Sequence, residues 1–177
     1  MKKFLCLIII FACFFSCLNS KAEEILIPND AIRLRVIANS NTPADQSLKI
    51  KVRDLIQVEL FNILKNSHSK EQTKSLIKST IPEFNNIIAS TLRDANQSFT
   101  INYGINYFPE KNYKGLTYEE GNYESLVITL GSGEGDNWWC VLFPPLCLLE
   151  AEEDSKTTEI EYKFLVAELI EKFKGSY

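Results

Sequence analysis

The chain has 177 residues, 45% of them hydrophobic, 24% charged and 11% aromatic, with seven Gly, six Pro and five Cys. These fractions exclude a disordered or collagen-like polymer and a disulfide-dense miniprotein, and the length leaves room for one domain beside a targeting segment. The formal net charge is −4.

The hydrophobic fraction is unevenly spread. Met1-Lys2-Lys3 precedes an apolar block, Phe4 to Leu18, whose one polar side chain is Ser16, and then Asn19-Ser20-Lys21-Ala22 follows. A cationic start, an apolar stretch and small residues at Ser20 and Ala22 describe a signal peptide, residues 1–22, cleaved after Ala22. Retention as an uncleaved anchor, or lipid attachment at Cys13 or Cys17, are the alternatives; spanning a bilayer needs roughly 20 apolar residues, more than the block supplies without its polar flank. Removing residues 1–22 takes away Lys2, Lys3 and Lys21, leaving 16 cations against 23 acids, a net charge of −7 on an exported domain of 155 residues. That balance sets aside nucleic acid and anionic membranes as main partners.

Ile32 to Ala38 alternates Ile32, Leu34, Val36 and Ala38 with Arg33, Arg35 and Ile37, a half-buried strand whose second face points two arginines outward. Asn39-Ser40-Asn41 supplies turn chemistry. Thr42 then suits an N-cap, Pro43 the first helical position and Asp45 the third, so a helix is expected from Pro43 to about Leu64. Its buried stripe is Leu48, Val52, Leu55, Ile56, Leu60 and Ile63, with Lys49, Lys51, Arg53, Asp54 and Glu59 in water. A second helix starts after Ser69, with Gln72 as capping partner. Pro82 predicts a break near Ile81 and a new start capped by Thr80 and Glu83, followed by Phe84, Ile87, Ile88 and Leu92.

From Phe99 the period shortens to two. Phe99, Ile101, Tyr103, Ile105 and Tyr107 form the aromatic face of a strand. A loop containing Pro109, Gly115 and Gly121 leads to a third strand, Ser125 to Leu130, and Trp138 to Phe143 is a fourth, apolar on both faces. Trp138 and Trp139 are adjacent and must point to opposite faces. Glu150 to Glu161 is acidic and reads as a solvated loop. A last helix carries Ile160, Phe164, Leu165, Leu169 and Phe173 on one side, with Lys172, Lys174 and Gly175 near its end. Helices segregated from consecutive strands predict an α+β fold: a two-layer sandwich of an antiparallel or mixed sheet of about four strands, with helices mainly on one face, in a single domain over residues 23–177.

Chemistry-bearing patterns are sparse. His68 is the one histidine and lies between two helices. The motifs HExxH, GxSxG and GxxxxGK[ST] are absent from the sequence. Gly131-Ser132-Gly133-Glu134-Gly135 resembles a phosphate cradle, but Glu134 and Asp136 repel phosphate and a strand follows, so it reads as a connection between two neighbouring strands. Cys140 and Cys147 are the cysteines left after export. Six residues separate them, with Pro144-Pro145 to turn the chain, and they read as a disulfide, a ring worth about 2 to 3 kcal/mol. A thiol hydrolase using Cys140 with His68 is the competing reading.

The strings IRLRVIANSNTPADQSLKIKVRD (Ile32–Asp54) and GSGEGDNWWCVLFPPLC (Gly131–Cys147), in this order behind a signal sequence, resemble the stage II sporulation protein R family of endospore-forming bacteria. The resemblance implies a protein made in the forespore and exported into the space between forespore and mother-cell membranes. There such a protein triggers a membrane-embedded aspartic protease, stage II sporulation protein GA, which cleaves the precursor of the early mother-cell sigma factor. It implies no enzyme activity, catalytic residue, metal, cofactor or small-molecule substrate. Surface argument makes Arg33, Arg35, Lys49 and Arg53, with Trp138 and Trp139, the candidate partner contacts, since exposed charge steers association and tryptophan is enriched in interface hot spots. A structural component of the intermembrane space is the remaining alternative.

Overall fold

The computed structural model describes residues 27–113, 116–147 and 159–173. The signal segment, Lys174, Gly175 and nearly all of the acidic stretch after Glu150 lie outside them. The elements in chain order are β1 (Ile32–Ile37), α1 (Pro43–Leu64), α2 (Lys70–Leu92), a 3₁₀ turn (Arg93–Ala95), β2 (Phe99–Phe108), β3 (Lys111–Tyr113), β4 (Leu116–Tyr118), β5 (Gly121–Leu130), β6 (Asn137–Phe143) and α3 (Glu159–Phe173). Four strands form a sheet in the order β2-β5-β1-β6, and β3 with β4 forms a separate hairpin. β1 runs parallel to β5 and antiparallel to β6, so the sheet is mixed. The α+β expectation holds.

Alternation along β1 divides the molecule. Ile32, Leu34 and Val36 are fully buried against α1 and α2, in one core with Val52, Ile56, Leu60, Ile77, Phe84, Ile88, Leu126 and Ile128. Burial of this many branched side chains, each worth about 1.5–3 kcal/mol, is what holds helices to sheet. The α1 N-terminus forms as its chemistry dictates: the Thr42 side chain accepts from the Asp45 amide and Pro43 opens the helix. The α1 stripe runs Lys49, Val52, Ile56, Leu60, Leu64. Leu55, expected inside, is 47% exposed, while Lys49, expected in water, is 7% exposed.

Pro82 does not divide α2, which is one element from Lys70 to Leu92. Ile77, Phe84, Ile88 and Leu92 share one buried stripe across the proline, so packing on α1 and the sheet outweighs the lost backbone bond. The Thr80 hydroxyl donates back to the Leu76 carbonyl and begins no new helix.

The segment read as a loop between Phe108 and Ser125 contains β3 and β4, and β5 starts at Gly121. Strands of three residues are too short for a period to show. Among the described side chains of α3, Val166 and Phe173 are buried, whereas Leu165, expected on the buried side, is 41% exposed; Ile160 and Phe164 lie outside them. Val166 packs with Ile27, Ala31, Leu116, Tyr118, Val141 and Leu146 in a second, smaller core. Leu116, Tyr118 and this core thus cover part of the sheet face opposite α1 and α2. Among the described residues no helix is long and apolar enough to cross a membrane.

Candidate functional site

The two distinctive segments meet at the end of β1. β5 and β6 are consecutive in sequence but β1 lies between them, so Gly131–Asp136 must cross over the C-terminal end of β1. The expected connection between neighbouring strands is corrected to this crossover. Glu134 and Gly135 amides donate to the carbonyls of Asn39 and Ala38 (3.1 and 2.9 Å). The Ser132 amide donates to Asn39 Oδ1 (2.9 Å), and the Asp136 amide to Asn41 Oδ1 (2.7 Å). Asn39 Nδ2 and the Ser40 hydroxyl both donate to Asp45 Oδ2, tying the turn to the first turn of α1. These bonds, led by that from Ser40, hold the Asp45 carboxyl below its ordinary range.

The glycines are steric requirements of this lock. Gly131 has φ +55° and a Cβ there would lie 2.1 Å from Asn39 Oδ1; one at Gly135 would lie 2.4 Å from the Ser40 carbonyl oxygen. Their closeness serves a contact within the chain, between the crossover and the Asn39–Asn41 turn, whose polar groups take up the Ser132, Glu134 and Asp136 amides.

Arg33 is where structure departs most from the outward reading. Its side chain is 2% exposed. The guanidinium carbon sits 4.2 Å from the Phe108 ring centroid, 4.7 Å from Tyr123 and 5.6 Å from both Tyr118 and Trp139. Four ring faces around one cation offset part of its lost hydration. Burial lowers its pKa, with the phenols of Tyr123 and Tyr118 acting in the opposite sense. No carboxylate pairs with Arg33 among the described residues. Arg35, on the same face, is half-buried over Phe108 at 4.8 Å.

The register of β6 places Trp139 opposite Arg35 and Trp138 opposite Val36. The tryptophans therefore divide between the faces as adjacent strand residues must: Trp138 packs on the helix-side core, and Trp139 stands edge-on to Phe108 beside Arg33. On the helix side Arg53 lies 5.5 Å from the Trp138 ring and bonds Asp54. Lys49 is a strut: Nζ donates to Gln46 Oε1 (2.6 Å) and to the Asp136 carbonyl (2.9 Å), bracing the crossover against α1. Burial lowers the Lys49 pKa; Asp136 opposes that, and the charges of Arg53 and Lys111 add to it.

Lys111 is the residue that sequence reading missed. On exposed β3, its Nζ lies 5.0 Å from the Trp139 ring. With Arg33, Tyr113, Tyr118, Trp138 and Trp139 it lines a cavity of about 200 Å³. The available signal was the run of aromatics Tyr107, Phe108, Tyr113, Tyr118 and Tyr123, too many for a solvated loop. Of the six candidate contacts, Arg33 and Lys49 are buried while Arg35, Arg53, Trp138 and Trp139 are partly exposed. Cys140 and Cys147 are joined by a disulfide, with 5.6 Å between their Cα atoms. His68 is exposed in the α1–α2 connection. Among the described residues no three His, Cys, Asp or Glu side chains are grouped to hold a metal ion.

The family model for stage II sporulation protein R matches residues 28–153. The chain belongs to the stage II sporulation protein R family. It is 41% identical over 147 residues to the stage II sporulation protein R of Bacillus subtilis (strain 168), an alignment covering 82% of this chain and 66% of that relative. No solved structure matches. In this stage II sporulation protein R family member, the crossover lock and the caged arginine both fall inside the matched residues.

Proposed function

We propose that this protein is an exported, non-enzymatic sporulation signal. In this reading the forespore secretes it into the intermembrane space, where it activates the membrane-embedded aspartic protease, stage II sporulation protein GA, that processes the precursor of the early mother-cell sigma factor. Family membership supports the sporulation role. The observation that carries the binding mode is the convergence of Arg33, Arg53, Lys111, Trp138 and Trp139 around the edge strand β6, on a chain whose overall charge is negative. Local positive charge on an acidic protein orients an encounter with an acidic surface, and aromatic side chains supply contact area. To activate, the protein must bind the active arrangement of the protease better than the inactive one, since affinity shared equally by both arrangements shifts nothing.

The Cys140 sulfur is committed to Cys147 and so offers no thiolate, which disfavours the thiol-hydrolase reading. The test uses sporulating cells whose own copy is replaced by Arg35→Glu/Arg53→Glu/Lys111→Glu, with secretion verified. Processing of the sigma precursor should fail, and normal processing would overturn the contact surface. Purified wild-type protein added to cells lacking it should restore processing, whereas a structural component of the space would not act this way.

A further inference from the structure

Five buried side-chain polar atoms among the described residues lack a hydrogen-bond partner, and three of them, Arg33 Nε, Arg35 Nε and Trp139 Nε1, lie on the β1–β6 face opposite α1 and α2. All three are donors. A buried donor without an acceptor costs roughly 1–3 kcal/mol, more when charged, so natural proteins seldom keep one without use. Two of these residues, Arg33 and Trp139, line the 200 Å³ cavity, with Lys111 also on its wall.

We propose that this cavity receives a carboxylate, the side chain of an Asp or Glu in an extended acidic segment of the protein's partner, held by the Arg33 guanidinium with Lys111 and Trp139 Nε1 beside it. The inference rests on the reading above that the exported chain binds a partner, and it names the chemistry of the contact. Charge selects the ligand: Arg33, Arg35 and Lys111 carry no carboxylate pair among the described residues. Shape narrows it. The aromatic walls of Tyr113, Tyr118 and Trp139 suit the methylenes of an acidic side chain, and a guanidinium fork matches a planar carboxylate. A phosphate dianion would lose more hydration among the same rings. Position supports a polypeptide source. β6 is an edge strand, and residues from both of its faces, Trp138 and Trp139, border the cavity, so a segment lying along that edge reaches it.

The experiment is a titration of the secreted protein, followed by the arginine Nε–H and tryptophan indole resonances, with Arg33→Lys used to assign the Arg33 signal. The probes are a blocked tripeptide with a central glutamate, its glutamine counterpart, acetate and inorganic phosphate. The glutamate peptide should shift the Arg33 Nε–H and Trp139 indole signals with saturation near about 1 mM, the range of a single anchored side chain. The glutamine peptide should bind at least roughly tenfold more weakly, as loss of a charge-assisted pair requires. Lys111→Gln, at an exposed position, should weaken the glutamate peptide severalfold with unchanged thermal stability. Equal response to glutamate and glutamine, an unmoved Arg33 signal, or preference for phosphate would overturn the proposal; tighter binding of acetate would overturn the polypeptide source. No protease is present in this titration, so its failure leaves the signalling reading intact, and failure of the processing assay leaves the titration intact.

Discussion

Replacing Arg33 separates a structural charge from a functional one. In Arg33→Met the stem volume is kept and the cation removed. Four aromatic rings lie within 6 Å of the guanidinium carbon, and each cation–π contact contributes about 0.5–2 kcal/mol. Against this stands the desolvation of a charge that is 2% exposed, several kcal/mol for an ion without a counter-charge. The opposing quantities are of similar size. A methionine sulfur among the same rings recovers about 0.3–1.5 kcal/mol per contact, so the variant should unfold within roughly 4 °C of wild type, the shift that about 1 kcal/mol gives a domain of this size. Arg33→Ala instead leaves a void, with a cost of about 2–5 kcal/mol and a fall of roughly 4 to 20 °C. Thermal unfolding by circular dichroism, disulfide intact, measures both. The methionine variant should keep its stability and lose sigma-precursor processing. Should it fall as far as the alanine variant, the cation is a structural centre and the argument from its missing partner fails.

Gly135→Ala should destabilise by about 1–3 kcal/mol, because its Cβ would meet a backbone carbonyl at 2.4 Å that cannot swing aside; urea denaturation measures it, and an unchanged midpoint would refute the lock. Asp45 has its folded pKa depressed, chiefly by the Ser40 hydrogen bond. Its stabilising contribution is therefore present above the ordinary carboxylate value and is lost as pH falls through the lower folded one; Asp45→Asn should flatten the acid limb of stability against pH, and an identical limb would count against the assignment. Opening the Cys140–Cys147 bridge, which spans seven positions, should cost about 2–3 kcal/mol in denaturant, and intact mass before and after alkylation should show no free thiol at Cys140 or Cys147 in the purified protein.

The elements that could be read in the sequence are those whose signals are local. Thr42, Pro43 and Asp45 act within one helical turn, and the cap formed as their chemistry requires. β1 alternates because neighbouring side chains must face apart. What alternation cannot say is whether the second face of a strand is wet. Arg33 is buried because Phe108, Tyr118, Tyr123 and Trp139, all distant in sequence, close over it. Lys49 is buried for a similar reason: its partner is the carbonyl of Asp136, delivered by a loop whose path depends on strand order. Pro82 shows the same limit in reverse, a strong local signal overruled by a stripe packed on both sides of it.

Strand order also joins the two halves of the site. Because Gly131–Asp136 must pass over β1, the position of β6 is set by where that loop is pinned, and Asn39, Asn41 and Lys49 pin it through its amides and the Asp136 carbonyl. The register that results pairs Arg35 with Trp139 and so carries the indole to the cage around Arg33. A slip of one residue would turn Trp139 to the helix side and Trp138 into the cage. The polar turn and glycine-rich crossover are therefore positioning devices for the arginine and tryptophan, and the two segments that mark the family act as one unit.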